Sequence, residues 1–184
     1  MRQSALPREP VLPAQLLPWV RRETARLHDR VESHVDLVAV LATQDTYGQW
    51  LERLLGFQFP AEDRLTDQLG PGHRVQSVAL VAALAGLGRT SVDVPVAAVA
   101  GPGSVSQALG LLYVTEGSAL GRDQIARLAG QRLGLAMVPA PGGATTGARW
   151  AKVRRIITER CTDPAEFLTG ASNAFVAMEE WLCT

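Results

Sequence analysis

The chain has 184 residues, 47% of them hydrophobic, with 18 basic side chains against 18 acidic ones. That length suits one domain, or at most two, with a real core. The balanced charge argues against a nucleic-acid footprint or a polybasic membrane patch. Cys161 and Cys183 are not at a metal-ligand spacing, so reduced thiols in a cytoplasmic protein are expected.

Residues 1–15, with three prolines and no apolar run, read as a flexible leader without a signal peptide. A helical domain is expected over 16–184. The most apolar window, VALVAALAGLG at 78–88, is too short to cross a bilayer. Pro18 suits a first helical turn. Val20, Thr24, Leu27 and Val31 then recur at i, i+4, i+7 and i+11, one apolar stripe. A second helix is expected from Asp45 as N-cap, broken or kinked at Pro60, with another helix following to Gly70. Residues 74–87 read as a short apolar helix. Residues 91–100 carry valines but also Pro95, and read as loop or short helix. Ser104 should cap a long helix reaching Leu133, with a loop at 139–147 and a basic helix over 148–160. Asp163 and Pro164 form a cap and first-turn pair for a last helix. No run alternates at period two, so the fold class is all-α.

The long helix contains Gly110, Gly117 and Gly121 at spacings of seven and four, which share a face. Each glycine inside a helix costs roughly 1 kcal/mol relative to alanine. A bare backbone strip admits a close neighbour, either another helix or a planar ligand. On the first helix, Glu32 stands one turn after His28. That pair is either a surface pair or a ligating imidazole whose second ring nitrogen is oriented by a carboxylate. His34 and His73 have no such setting and are expected in solvent. Arg21, Arg22 and Arg26 surround His28, and Arg149, Lys152, Arg154 and Arg155 cluster later. They form solvated faces or hold the carboxylates of a ligand.

RRETARLHDRVE followed much later by LYVTEGSALG resembles haem oxygenase, particularly the bacterial type associated with biliverdin-binding phytochromes. YGQWLERLLGFQFPAE, TGARW and AFVAMEEWL extend the resemblance from about residue 17 to 182. It implies a helical fold in which haem lies between a proximal helix and a kinked distal helix. His28 would ligate the iron, with Glu32 orienting it. Gly117, Ser118 and Gly121 would form the distal face, where close backbone approach directs oxygen toward one meso carbon. Arg21 and one of Arg149, Lys152 or Arg154 would meet propionates, with Thr24 on the haem-binding helix. The implied reaction turns haem, both cofactor and substrate, into biliverdin, iron and carbon monoxide. Electrons would come from a ferredoxin or reductase, and a bacteriophytochrome would receive the product. A haem or tetrapyrrole carrier or sensor of the same fold is the alternative.

The chain departs from the family pattern in two places. Arg122, Asp123 and Gln124 follow Gly121, where the family usually has a second glycine. The loop 139–147 has no aromatic residue, where related bacterial sequences are rich in them. Ser118 stands where mammalian-type members carry aspartate.

Overall fold

The computed structural model describes residues 11–136 and 145–183. Its elements are α1 (Leu16–Ser33), α2 (Leu37–Val40), α3 (Gln44–Leu69), α4 (Val75–Gly86), α5 (Val105–Leu133), α6 (Thr146–Arg160) and α7 (Pro164–Leu182). A 3-10 turn at Pro13–Gln15 leads into α1. No strand occurs among the described residues, so the all-α expectation holds. No helix among them is long and apolar enough to cross a membrane.

Local chemistry sets most helix ends. The Ser104 hydroxyl accepts from the Gln107 N–H at the start of α5. The Asp163 carboxylate accepts from the Ala165 and Glu166 N–H groups at the start of α7. Such caps satisfy amide donors that the first turn leaves without partners. Gly70, at φ 90°, closes α3. The start of α3 differs from the expectation at Asp45. Thr43 and Thr46 form a reciprocal capping box, and the helix begins at Gln44. Asp45 falls inside the first turn, where it takes Arg89 as partner at 2.6 Å. The short α2, capped by Asp36, was not anticipated.

The larger correction is at Pro60, which neither breaks α3 nor ends it. Proline has no N–H, so the Gly56 carbonyl four residues earlier loses its helical donor. The Ala97 N–H supplies one instead, at 2.9 Å. The approach requires glycine. A Cβ at position 56 would run into the Pro95 carbonyl oxygen and lie 2.6 Å from the Trp181 ring. Residues 94–100 are therefore an irregular segment laid against α3, the loop rather than the short helix.

The long helix α5 is the axis of the molecule and packs on α3, α4, α6 and α7. One core gathers Val20 of α1, Phe57 and Leu65 of α3, Leu109 and Leu112 of α5, Ile157 of α6 and Phe167 of α7. A second, under α2, joins Leu51 and Leu55 of α3 to Leu80 and Leu84 of α4 and Ala129 of α5. The start of α5 is fastened to α7 by Glu166, which accepts from Ser104 Oγ at 3.2 Å and Gln107 Nε2 at 2.5 Å.

Candidate functional site

The glycines of α5 share a face but meet different neighbours. At Gly110 that face is sealed by α7. A Cβ there would collide with the Phe167 carbonyl oxygen and lie 2.5 Å from the Ala171 nitrogen. Gly170 returns the contact, since its Cβ would run into the Gln107 carbonyl oxygen. Gly110 is thus a helix-packing glycine. One stage further along, the space over Gly117 is taken by the Trp150 ring, 3.7 Å from a Cβ placed there. Over Gly121 nothing lies within 4 Å among the described residues. Ser118 is exposed, and its hydroxyl donates to the Thr115 carbonyl at 2.9 Å. About three turns beyond Gly117 the same face reaches Leu128. There a cavity of about 330 Å³ opens between Leu37, Val38, Leu41, Leu128, Gln131 and Arg132. The helix runs unbroken through both Gly117 and Gly121.

On α1, Val20, Thr24 and Val31 are buried as the stripe predicts. His28 is 53% exposed and meets Phe175 of α7 edge-on, with ring centroids 5.8 Å apart. Glu32 Oε2 lies 3.6 Å from His28 Nδ1, within ion-pair range but long for a hydrogen bond. With Glu32 on the Nδ1 side, Nε2 is the ring nitrogen that could ligate. Asp29 sits with them, so these three residues could also gather a small cation. Helices α1 and α5 both pack on α7 and α6. Arg21 acts on the Tyr113 phenol of α5, lowering a pKa that burial raises.

Two candidate ligand residues are occupied internally. Thr24 is 2% exposed, and its hydroxyl donates to the Val20 carbonyl at 2.8 Å. It belongs to the core and presents no polar atom to a ligand. Arg149 is turned inward to Glu116, donating from Nε at 2.7 Å and also from Nη2. Lys152 and Arg154 remain the exposed cations among the three. Arg154 lines a second cavity of about 390 Å³ with Leu17 and Ala151.

The Glu116–Arg149 pair belongs to a buried polar cluster on the far side of α5 that no motif announced. Gln76 Nε2 donates to Glu116 at 2.9 Å, and Gln76 Oε1 accepts from Arg122. Glu62 accepts from the backbone N–H of Gln76 at 2.8 Å and of Ser77 at 3.2 Å, from the Ser77 hydroxyl, and from Gln58 at 3.3 Å. It thereby caps α4, favourably placed at the positive end of that helix. Burial still raises its pKa, against the lowering effect of those donors. Two carboxylates and two guanidiniums make the cluster neutral, which lowers the cost of burying it. The sequence did carry a signal. Leu51, Leu55, Gln58, Glu62 and Leu65 fall on one helical face, so the polar members sit at core positions.

Arg122 therefore projects about 120° round the helix from the glycine face. Burial lowers its pKa, and Asp123, Glu116, Glu62 and Tyr47 raise it in turn. It does not narrow the space over Gly121. His73 departs from expectation. It is half-buried, and burial lowers its pKa. His34, although exposed, pairs with Glu179 at 3.6 Å. Both cysteines are free. Of the aromatic-free loop 139–147, residues 139–144 lie outside the described residues. No family model, curated protein or solved structure is matched by this chain.

Proposed function

We propose that this chain is a haem-degrading monooxygenase of the haem-oxygenase type, holding haem between α1 and the glycine face of α5. Two separate surfaces, one on α1 and one on α5, support the reading. His28 is exposed with a carboxylate on its Nδ1 side, while no described residue covers the backbone at Gly121. Haem, as substrate and cofactor, supplies the redox chemistry that would open its own ring to biliverdin, with electrons from a ferredoxin or reductase.

The chain's own residues would do the positioning. His28 offers Nε2, and Glu32 orients the ring and raises its basicity. Gly121 would allow close approach, and Ser118 keeps acceptor lone pairs nearby. Arg21, Lys152 and Arg154 would receive propionates at the solvent edge. Biliverdin would pass to a partner such as a bacteriophytochrome. A carrier or sensor that binds a tetrapyrrole without cleaving it is the second reading, and the aromatic-free loop favours it. Arg122 does not favour it, because it faces the buried cluster.

Haemin added to the purified protein is expected to give a Soret band at one equivalent. Reductant in air should then bleach it and build biliverdin absorption. A stable reduced spectrum with no green product selects the carrier reading, and no Soret band removes both. His28→Ala should weaken haemin binding on the order of a hundredfold and remove the axial-ligand signature. Arg122→Met should leave haemin affinity within about threefold but cost about 1–3 kcal/mol of stability, because Gln76 loses a buried donor. A large loss of haemin affinity in that variant would place Arg122 in the ligand site instead.

A further inference from the structure

Arg149 and Trp150 are adjacent in α6 and meet consecutive residues of α5, Glu116 and Gly117. Arg149 holds Glu116, which is 2% exposed and also accepts from Gln76. The next residue lays its indole over Gly117, with ring atoms 3.7 and 3.9 Å from the place of a Cβ. Tyr113, one turn earlier on α5, packs against that indole at 5.7 Å between centroids, tilted 51°. Phe167 backs Tyr113 at 6.0 Å, edge-on at 68°. The buried apolar anchors of α6, Val153 and Ile157, lie further along the helix. The start of α6 is tied to α5 through the Arg149–Glu116 pair and the Trp150 ring.

We propose that Trp150 is a specificity-determining residue of the ligand site, and that the Glu116–Arg149 pair is its positioning device. The indole is the end wall of the glycine face. It covers Gly117, stops short of Gly121, and so sets how far a planar ligand extends along α5. A large flat side chain held by Tyr113 on one side and by a buried bidentate pair behind does not swing aside at low cost. Ligands whose substituents project in the ring plane beyond that wall are excluded. The inference rests on the tetrapyrrole reading above and adds the residue that gauges the ligand.

The experiment titrates the full chain with haemin and with a bulkier probe, iron meso-tetrakis(4-sulfonatophenyl)porphyrin. Wild type should prefer haemin by about a hundredfold, and Trp150→Ala should narrow that ratio by about tenfold. Trp150→Phe, which keeps an aromatic contact with Tyr113, should fall between them and guards against misfolding of the alanine variant. In the ligand-free protein, Glu116→Gln should speed amide exchange over residues 145–150 by about tenfold, with smaller change in α7. An unchanged probe ratio in both Trp150 variants, with haemin still bound, overturns the gauge and leaves the proposed function standing. Unchanged exchange in Glu116→Gln overturns the positioning role. Failure of wild type to bind haemin overturns the function and the gauge together.

Discussion

Gly170→Ala is expected to lower the stability of the protein by about 3 kcal/mol or more, because the added methyl meets backbone rather than side chain. Its Cβ would run into the Gln107 carbonyl oxygen and lie 2.7 Å from the Gln107 Cα. A side chain can rotate away, but two helix backbones can only separate, and α5 and α7 share the main core. Gly110→Ala strikes the same crossing from the other helix, so the two losses should not add. In a chain of this size the melting temperature should fall by roughly 10 °C for either variant. Gly121→Ala is the control. Among the described residues nothing lies within 4 Å of its added Cβ, so the ligand-free protein should gain about 0.5–1 kcal/mol from better helix propensity. Haemin affinity should fall in that variant if the proposed function is right. Thermal and urea unfolding of the three variants test the argument, and a tolerated Gly170→Ala would show that the crossing is looser than described.

Glu62→Ala should cost on the order of 3–5 kcal/mol, since four donors lose one buried acceptor. Two are backbone N–H groups of α4's first turn, and two are the side chains of Ser77 and Gln58. The carboxylate has a second signature. Burial lifts its pKa in the folded state above the ordinary 4.5, so folding takes up a proton between those two values. This contribution to stability is fully present below pH 4.5 and is lost as pH rises through the folded-state value. Glu62→Gln removes the titration while keeping one acceptor. Denaturant unfolding from pH 4.5 to neutral should therefore show a less negative slope of stability against pH in Glu62→Gln than in wild type. Equal slopes would mean that Glu62 folds with an unshifted carboxyl, and a Glu62→Ala loss below 1 kcal/mol would mean that α4 does not depend on its cap.

Much of the candidate site was legible residue by residue, and its arrangement much less so. His28 and Glu32 could be paired from their spacing alone, because neighbours one turn apart on a helix meet wherever the helix is placed. The glycine face was equally visible. The division of labour along it was not, since Gly110 serves α7, Gly117 serves Trp150 and Gly121 stays open. Arg149 looked like a ligand cation among several on a basic helix. Its pairing with Glu116 spans 33 residues and depends on how α6 lies across α5. Thr24 was expected on the haem-binding helix, and its place in the apolar stripe already favoured the burial observed.

What the sequence by itself determined is the all-α class, most of the helices and several of their ends. Ser104, Asp163 with Pro164, and Gly70 act on amides and carbonyls within about four residues, so no distant partner is needed to interpret them. The apolar stripes likewise established an all-α chain. Tertiary structure alone decided the fate of Pro60, because the donor that replaces its missing N–H comes from Ala97, 41 positions from Gly56. It alone decided that Arg122 turns to Gln76 and the buried carboxylates and away from the glycine face. A helix specifies the angles at which its side chains leave. What each one meets depends on the neighbouring helices, which are brought there by burial of apolar surface with little directional preference.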